Sequence, residues 1–171
     1  MADQEQDIPP DSEALLRPAF TASLAARLSA GASINLCAAH GLGRRRTVAD
    51  LRSVLPAEIR VLYADMKFCA TDFPATLRDL CAQAGLDDAT ISDLGNLLAA
   101  LAHNPAPALL ILHNVDLLRS DPHDPLFDTA LLPYLARFAK HPNLALLTVS
   151  EAIHPDWPLP CEHLSLPPLD I

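Results

Sequence analysis

Short apolar runs and stretches of helical spacing alternate along the chain, and their order predicts the fold class. The short runs are residues 33–37 (SINLC), 58–64 (EIRVLYA), 108–112 (ALLIL), 144–149 (LALLTV) and 163–166 (HLSL). ALLIL and LALLTV are apolar almost throughout, the mark of strands covered on both faces. Between the runs, residues 11–29 show helical spacing, with Leu15, Phe20, Leu24 and Leu28 near one face and Pro18 as an expected break or kink. A second helix is predicted from Arg44 to about Leu55, closed by Pro56. A third covers 72–84, with Asp72 as N-cap, Pro74 in its first turn and Gly85 as its stop. Two more are expected over 90–102 and 125–140, the latter interrupted at Pro133. Strands alternating with helices predict an α/β fold, a three-layer α/β sandwich with a mainly parallel sheet. Residues 1–10 read as a disordered lead and 11–171 as one domain, a length that suits a single core.

Glycine then points to the chemistry. There are only 5 glycines against 16 prolines, and Gly41 and Gly43 fall within three positions directly after the first strand. In a doubly wound sheet that turn is where phosphates bind, because loop N–H groups and a helix N-terminus converge there. The working pattern is G-x-x-x-x-G-K-[S/T]. Here it reads Ala38-Ala39-His40-Gly41-Leu42-Gly43-Arg44-Arg45, with Arg46 following. Gly43 fills the second glycine place, and Ala38 replaces the first. Arg44 stands where the phosphate-bridging lysine belongs, and Arg45 where a Mg²⁺-ligating hydroxyl belongs. A forked guanidinium does not substitute for a compact ammonium in a tight cradle. Thr47 is two helical residues too far round, about 200°, to restore the hydroxyl. Residues 40–46 are thus the candidate phosphate contacts, on a loop that has lost its metal chemistry.

The end of the third strand repeats the loss. An ATPase of this design carries an acid there to hold Mg²⁺, often with a second carboxylate to activate water. The two positions are His113 and Asn114, and Asp116 is the nearest displaced acid. At the fourth strand, Thr148 and Ser150 keep hydroxyls where a γ-phosphate sensor would sit.

Charge and cysteine usage narrow the partners. The chain has 12 Lys+Arg and 21 Asp+Glu, a net −9, and with no aromatic residues between the cations nucleic acid is not expected as a partner. No apolar run approaches the roughly 20 residues that cross a bilayer. The scattered Cys37, Cys69, Cys81 and Cys161 read as reduced thiols of a cytoplasmic protein. The seven histidines show no metal-ligand pairing, and the Cys37–His40 pair lacks an orienting third group. The acidic turn at 120–125 reads as a plain loop. Trp157, Leu159, Leu164, Leu166 and Leu169 are candidates for an apolar contact with a protein partner or a second copy.

Taken in order, "SINLC", "HGLGRRRTVADL", "VLYADMKFCATDFPATLRDL", "LLILHNVDLL", "NLALLTVSEA" and "HLSLPPLD" resemble the NTPase core of STAND proteins, signal-transduction relatives of the AAA+ ATPases. The resemblance covers residues 14–170. It implies a P-loop NTPase-like core without its helical lid. With the lysine, the hydroxyl and both strand acids replaced, the chain is most similar to the inactive STAND group. That resemblance implies lost hydrolysis and an interaction or scaffold role in bacterial signalling or conflict systems, with no obligate cofactor. The alternatives are a regulator that holds ATP or ADP without Mg²⁺ and a slow ATPase relying on Asp116.

Overall fold

The computed structural model describes residues 14–69, 72–119, 131–153 and 159–169. Five strands form one parallel sheet: β1 (Ser33–Cys37), β2 (Arg60–Asp65), β3 (Ala108–His113), β4 (Leu144–Ser150) and β5 (Glu162–Ser165), in the order β2-β3-β4-β1-β5. The helices are α1 (Pro18–Ser29), α2 (Arg44–Val54), α3 (Met66–Cys69), α4 (Phe73–Ala84), α5 (Leu94–His103) and α6 (Leu131–Phe138).

Alternation along β3 and β4 splits the core into two layers. Leu110, Leu112, Leu144 and Leu146 face α4, α5 and α6, where Leu80, Leu97, Leu101, Leu135 and Phe138 are buried. Leu109, Ile111, Leu147 and Val149 face α1 and α2, meeting Leu24, Leu28, Val48 and Leu51. Helices on both faces explain why every residue of β3 and β4 is buried. The expected three-layer α/β sandwich is what forms.

Local signals account for most helix ends. Asp72 Oδ1 accepts from the Ala75 N–H at 2.9 Å, and Gly85 closes α4 at φ +68°. Asp93 Oδ1 caps α5 through the Asn96 N–H at 2.8 Å, so this helix starts four residues later than its spacing predicts. Pro18 opens α1 rather than kinking it, because the first helical position needs no N–H donor. Pro133 likewise lies in the first turn of α6 and does not interrupt it. At one edge of the sheet, Gln83 of α4 accepts from the Tyr63 N–H at 2.7 Å and donates to the Tyr63 carbonyl at 2.9 Å. At the other edge, β5 runs directly into Leu166, whose N–H reaches the Cys37 carbonyl at 3.0 Å, and then Pro167-Pro168.

The expected lead at 1–10, the loop at 120–125, the start of the helix at 125–140, and Trp157 lie outside the described residues. Leu159 and Leu166 are buried and Leu164 packs on the core, so of the apolar contact candidates that are described only Leu169 is exposed. Cys37, Cys81 and Cys161 are free thiols. Among the described residues, no helix is long and apolar enough to cross a membrane, and no cluster of side chains could hold a metal ion.

Candidate functional site

A parallel sheet brings the carboxyl ends of all its strands to one edge, and the loop after β1 opens there. Gly41 and Gly43 take φ of +85° and +83°, the left-handed region that only glycine enters without strain. Gly43 is also the N-cap of α2, and a Cβ on it would stand 3.0 Å from Leu16 Cδ2. Ala38, in the first glycine place, buries its methyl in the core.

The loop is held from outside by Arg17, a buried residue at the start of α1. Its Nε donates to the Pro167 carbonyl at 2.7 Å, Nη2 to the Leu42 carbonyl at 3.0 Å, and Nη1 to Thr47 Oγ1 at 3.3 Å. One guanidinium thus ties together α1, the loop, α2 and the segment after β5. It also fixes Thr47 as a structural hydroxyl.

The three arginines diverge. Arg44 is buried and its Nη2 donates to Glu151 Oε1 at 2.9 Å, one residue past β4. Arg45 is largely exposed and pairs with Asp65 Oδ2 at 3.3 Å. Arg46 turns back along its own helix to Asp50 Oδ1 at 2.6 Å and to the Ala14 carbonyl, away from the loop mouth. Burial raises the Asp50 carboxyl, but hydrogen bonds from Arg46 and the Leu16 N–H, with the Arg46 charge, bring it below its ordinary 3.8.

At the end of β3, His113 is buried with Nδ1 3.1 Å from the Tyr63 hydroxyl. Asn114 adopts φ +55° and donates from Nδ2 to Asp65 Oδ1 at 2.7 Å. Asp65, the terminal residue of β2, is therefore the buried carboxylate of this site. Burial raises its pKa, but the bonds from Asn114 and the Lys67 N–H, the His113 and Arg45 interactions included, hold it below 3.8. Asp116 does not project into the site: its Oδ2 accepts the Glu151 N–H at 2.6 Å and fixes the chain leaving β4. Thr148 and Ser150 are fully buried and bonded to Asn35 at 2.8 and 3.0 Å, so the sensor-like hydroxyls are spent inside the sheet. His40 and Cys37 each turn to Glu151, the ring at 3.9 Å from its carboxylate and the thiol donating to its carbonyl at 3.5 Å.

Between these groups lies a cavity of about 400 Å³, lined by His40, Gly41, Gly43, Arg44, Arg45, Lys67, His113 and Asn114. Sequence reasoning found all of these but Lys67. It also missed Asp65, Glu151 and Arg17. Asp65 and Glu151 mark the ends of β2 and β4, positions that become neighbours of the loop only through the strand order.

Burial depresses the His113 pKa below 6.5, and Arg44, Arg45 and Lys67 add to the effect against the opposing Asp65 charge. The fold therefore favours the neutral ring, while the unfolded chain takes up the proton first as pH falls. This contribution to stability is fully present above pH 6.5 and is lost progressively as pH falls from that value through the lower folded pKa. The melting temperature is expected to fall as pH drops below about 6.5, and His113→Gln to flatten the fall. An unchanged slope in the variant would remove His113 as its source.

No family model and no curated protein matches the chain. Solved structures do. Drosophila ORC bound to DNA is similar at 18% identity and a TM-score of 0.64, over 87% of this chain and 42% of that one. The Aeropyrum pernix Orc1 protein in complex with DNA is similar at 17% identity and TM-score 0.59, over 95% and 48%. Cdc6p from Pyrobaculum aerophilum follows at 15% identity and TM-score 0.58, over 87% and 42%. The chain spans less than half the length of each of these structures. The likeness shows the fold: a five-stranded parallel sheet with helices on both faces, the P-loop NTPase-like α/β core that these structures share. The expectation that nucleic acid is no partner is corrected by the same finding, since proteins of this fold are seen on DNA. A net charge of −9 describes the whole surface, whereas phosphate contacts depend on where the cations cluster.

Proposed function

We propose that the chain is a degenerate, non-hydrolysing P-loop module of the STAND type, serving as an interaction or scaffold element in bacterial signalling or conflict systems. The observation that carries the loss of hydrolysis is the double substitution at the site. A buried guanidinium bound to Glu151 occupies the lysine place, and neutral His113 with Asn114 occupies the acid places. Both oxygens of Asp65 are already engaged, Oδ1 by the Asn114 amide and Oδ2 by the Arg45 guanidinium that balances its charge, which argues against its taking over as a Mg²⁺ ligand. ATP or ADP held without metal is the alternative that the cation-lined cavity favours. The scaffold role rests on the STAND resemblance. Phosphate release from Mg²⁺-ATP is expected to equal the protein-free background. Mg²⁺-dependent release that Asp116→Asn abolishes would overturn the proposal.

The DNA-bound neighbours favour a second reading, in which nucleic acid is what the module contacts. Arg45 and Lys67 are the exposed cations at the loop edge. Duplex binding that weakens with salt and with Arg45→Gln would support it, and no binding at low salt would remove it.

A further inference from the structure

On the face of the sheet away from α2, a hollow of about 410 Å³ opens between α5 and α6, apart from the loop after β1. Its floor is apolar, made of Leu98, Ala99, Ala102, Phe138 and Leu144. Ligand pockets have this size and this make-up, an apolar floor with a few convergent polar groups. Here those groups come from α6 and the turn after it. The Arg137 guanidinium lies 5.0 Å from the centre of the Tyr134 ring, which holds it by a cation–π contact. Among the described residues, the guanidinium has no carboxylate partner and the Tyr134 hydroxyl no hydrogen bond. His141 Nδ1 accepts the Asn143 N–H at 3.3 Å, which leaves Nε2–H as the donor of that ring. Glycine places the aromatic wall. A Cβ on Gly95 would stand 2.7 and 2.9 Å from Cε1 and Cζ of Tyr134, so only a residue without one lets the ring lie against α5.

We propose that this hollow binds a small amphipathic carboxylate, with its aliphatic tail on the apolar floor and its head on Arg137, Tyr134 and His141 adding donors. A guanidinium is a planar fork that meets a carboxylate through two parallel N–H bonds. The other charges in the hollow decide where the head goes. α5 ends at His103 just before β3, and α6 ends at Phe138 just before β4, so both helices run toward the same edge of the sheet. Asp93, which precedes α5, and His141, which follows α6, therefore stand at opposite ends of the hollow. Asp93 is committed to the Asn96 N–H at 2.8 Å as the cap of α5, and its charge turns a second carboxylate toward Arg137. One cation balances the single charge of a carboxylate, where a doubly charged phosphate would be left in excess. The tail covers the exposed methyl of Ala99 and the half-buried Ala102, which the two helices leave open to water.

Titration with octanoate, followed through the backbone amide signals in NMR spectra, tests this, with 1-octanol and acetate as controls. Saturable binding of octanoate at about 1 mM or tighter is expected, with the shifts centred on Gly95, Ala99 and Arg137. Octanol keeps the tail without the charge and should bind about tenfold more weakly. Acetate keeps only the head and should not saturate. Arg137→Gln should weaken octanoate about tenfold, the worth of one charge-assisted hydrogen bond. Ala99→Leu should fill the hollow and abolish binding. Both positions are exposed, so neither variant disturbs the core. No saturable binding, or shifts that fall outside α5 and α6, overturns the site. Octanol as tight as octanoate, or an unchanged affinity in Arg137→Gln, overturns the carboxylate as the recognised group. Binding that survives Ala99→Leu overturns the hollow as its place.

Discussion

Replacing Arg17 with methionine is expected to destabilise the fold by about 3 kcal/mol, a fall of about 6–12 °C in melting temperature. Methionine keeps the apolar stem, so the change isolates the guanidinium. Three acceptors then lose their donor at once: the Pro167 and Leu42 carbonyls and the Thr47 hydroxyl. A buried polar group left unpaired costs about 1–3 kcal/mol, in full for the Thr47 hydroxyl and less for the part-buried Pro167 and Leu42 carbonyls, which water can reach, and relief from keeping a desolvated cation offsets part of the sum. The loop carrying Gly41 and Gly43 should loosen together with the segment after β5, because a single side chain holds both. Thermal melts followed by circular dichroism read the effect. A fall under about 2 °C would show that Arg17 contributes nothing net, since 1 kcal/mol corresponds to about 2–4 °C at this size.

Asn35→Leu is the second large effect, again about 3 kcal/mol. Asn35 sits at the centre of β1 with no exposure, and its amide spans three strands. Oδ1 accepts from Thr148 at 2.8 Å, and Nδ2 faces Ser150 Oγ at 3.0 Å and His163 Nδ1 at 3.2 Å. Leucine fills nearly the same space but strands these partners in a dry layer, where unpaired polar groups are most costly. Removing the hydroxyls as well, with Thr148→Val and Ser150→Ala, should recover part of the loss. A multiple variant whose losses simply add would show that the three groups do not act as one network.

How much of this was legible depended on the range of each signal. The strand–loop–helix around Gly41 and Gly43 could be read because scarce glycine falls in one place and its neighbours are local. β3 and β4 were legible because helices on both faces demand unbroken apolar runs. Pro18 was ambiguous, since the same residue starts a helix or kinks one, and only the position of the first turn decides. The four-residue α3 is too short for any periodicity. Asp65, Lys67 and Glu151 were missed for a different reason: strand order, not spacing, sets them around the loop. Arg17 contacts Pro167 across 150 residues, a distance no local pattern reports. Thr148 and Ser150 lay at the expected strand end, but the choice between facing a ligand and bonding Asn35 rests on which face of the sheet they occupy.

The Gln83 amide bears on how this protein can associate. It satisfies Tyr63 as a neighbouring strand would, so another chain pairing there would first have to displace it. The opposite edge is a four-residue strand followed by two prolines, which offer no N–H. Both margins therefore resist extension by a foreign strand. Assemblies that this module joins should form through its loops and helices, and the sheet itself should stay at five strands even at high concentration.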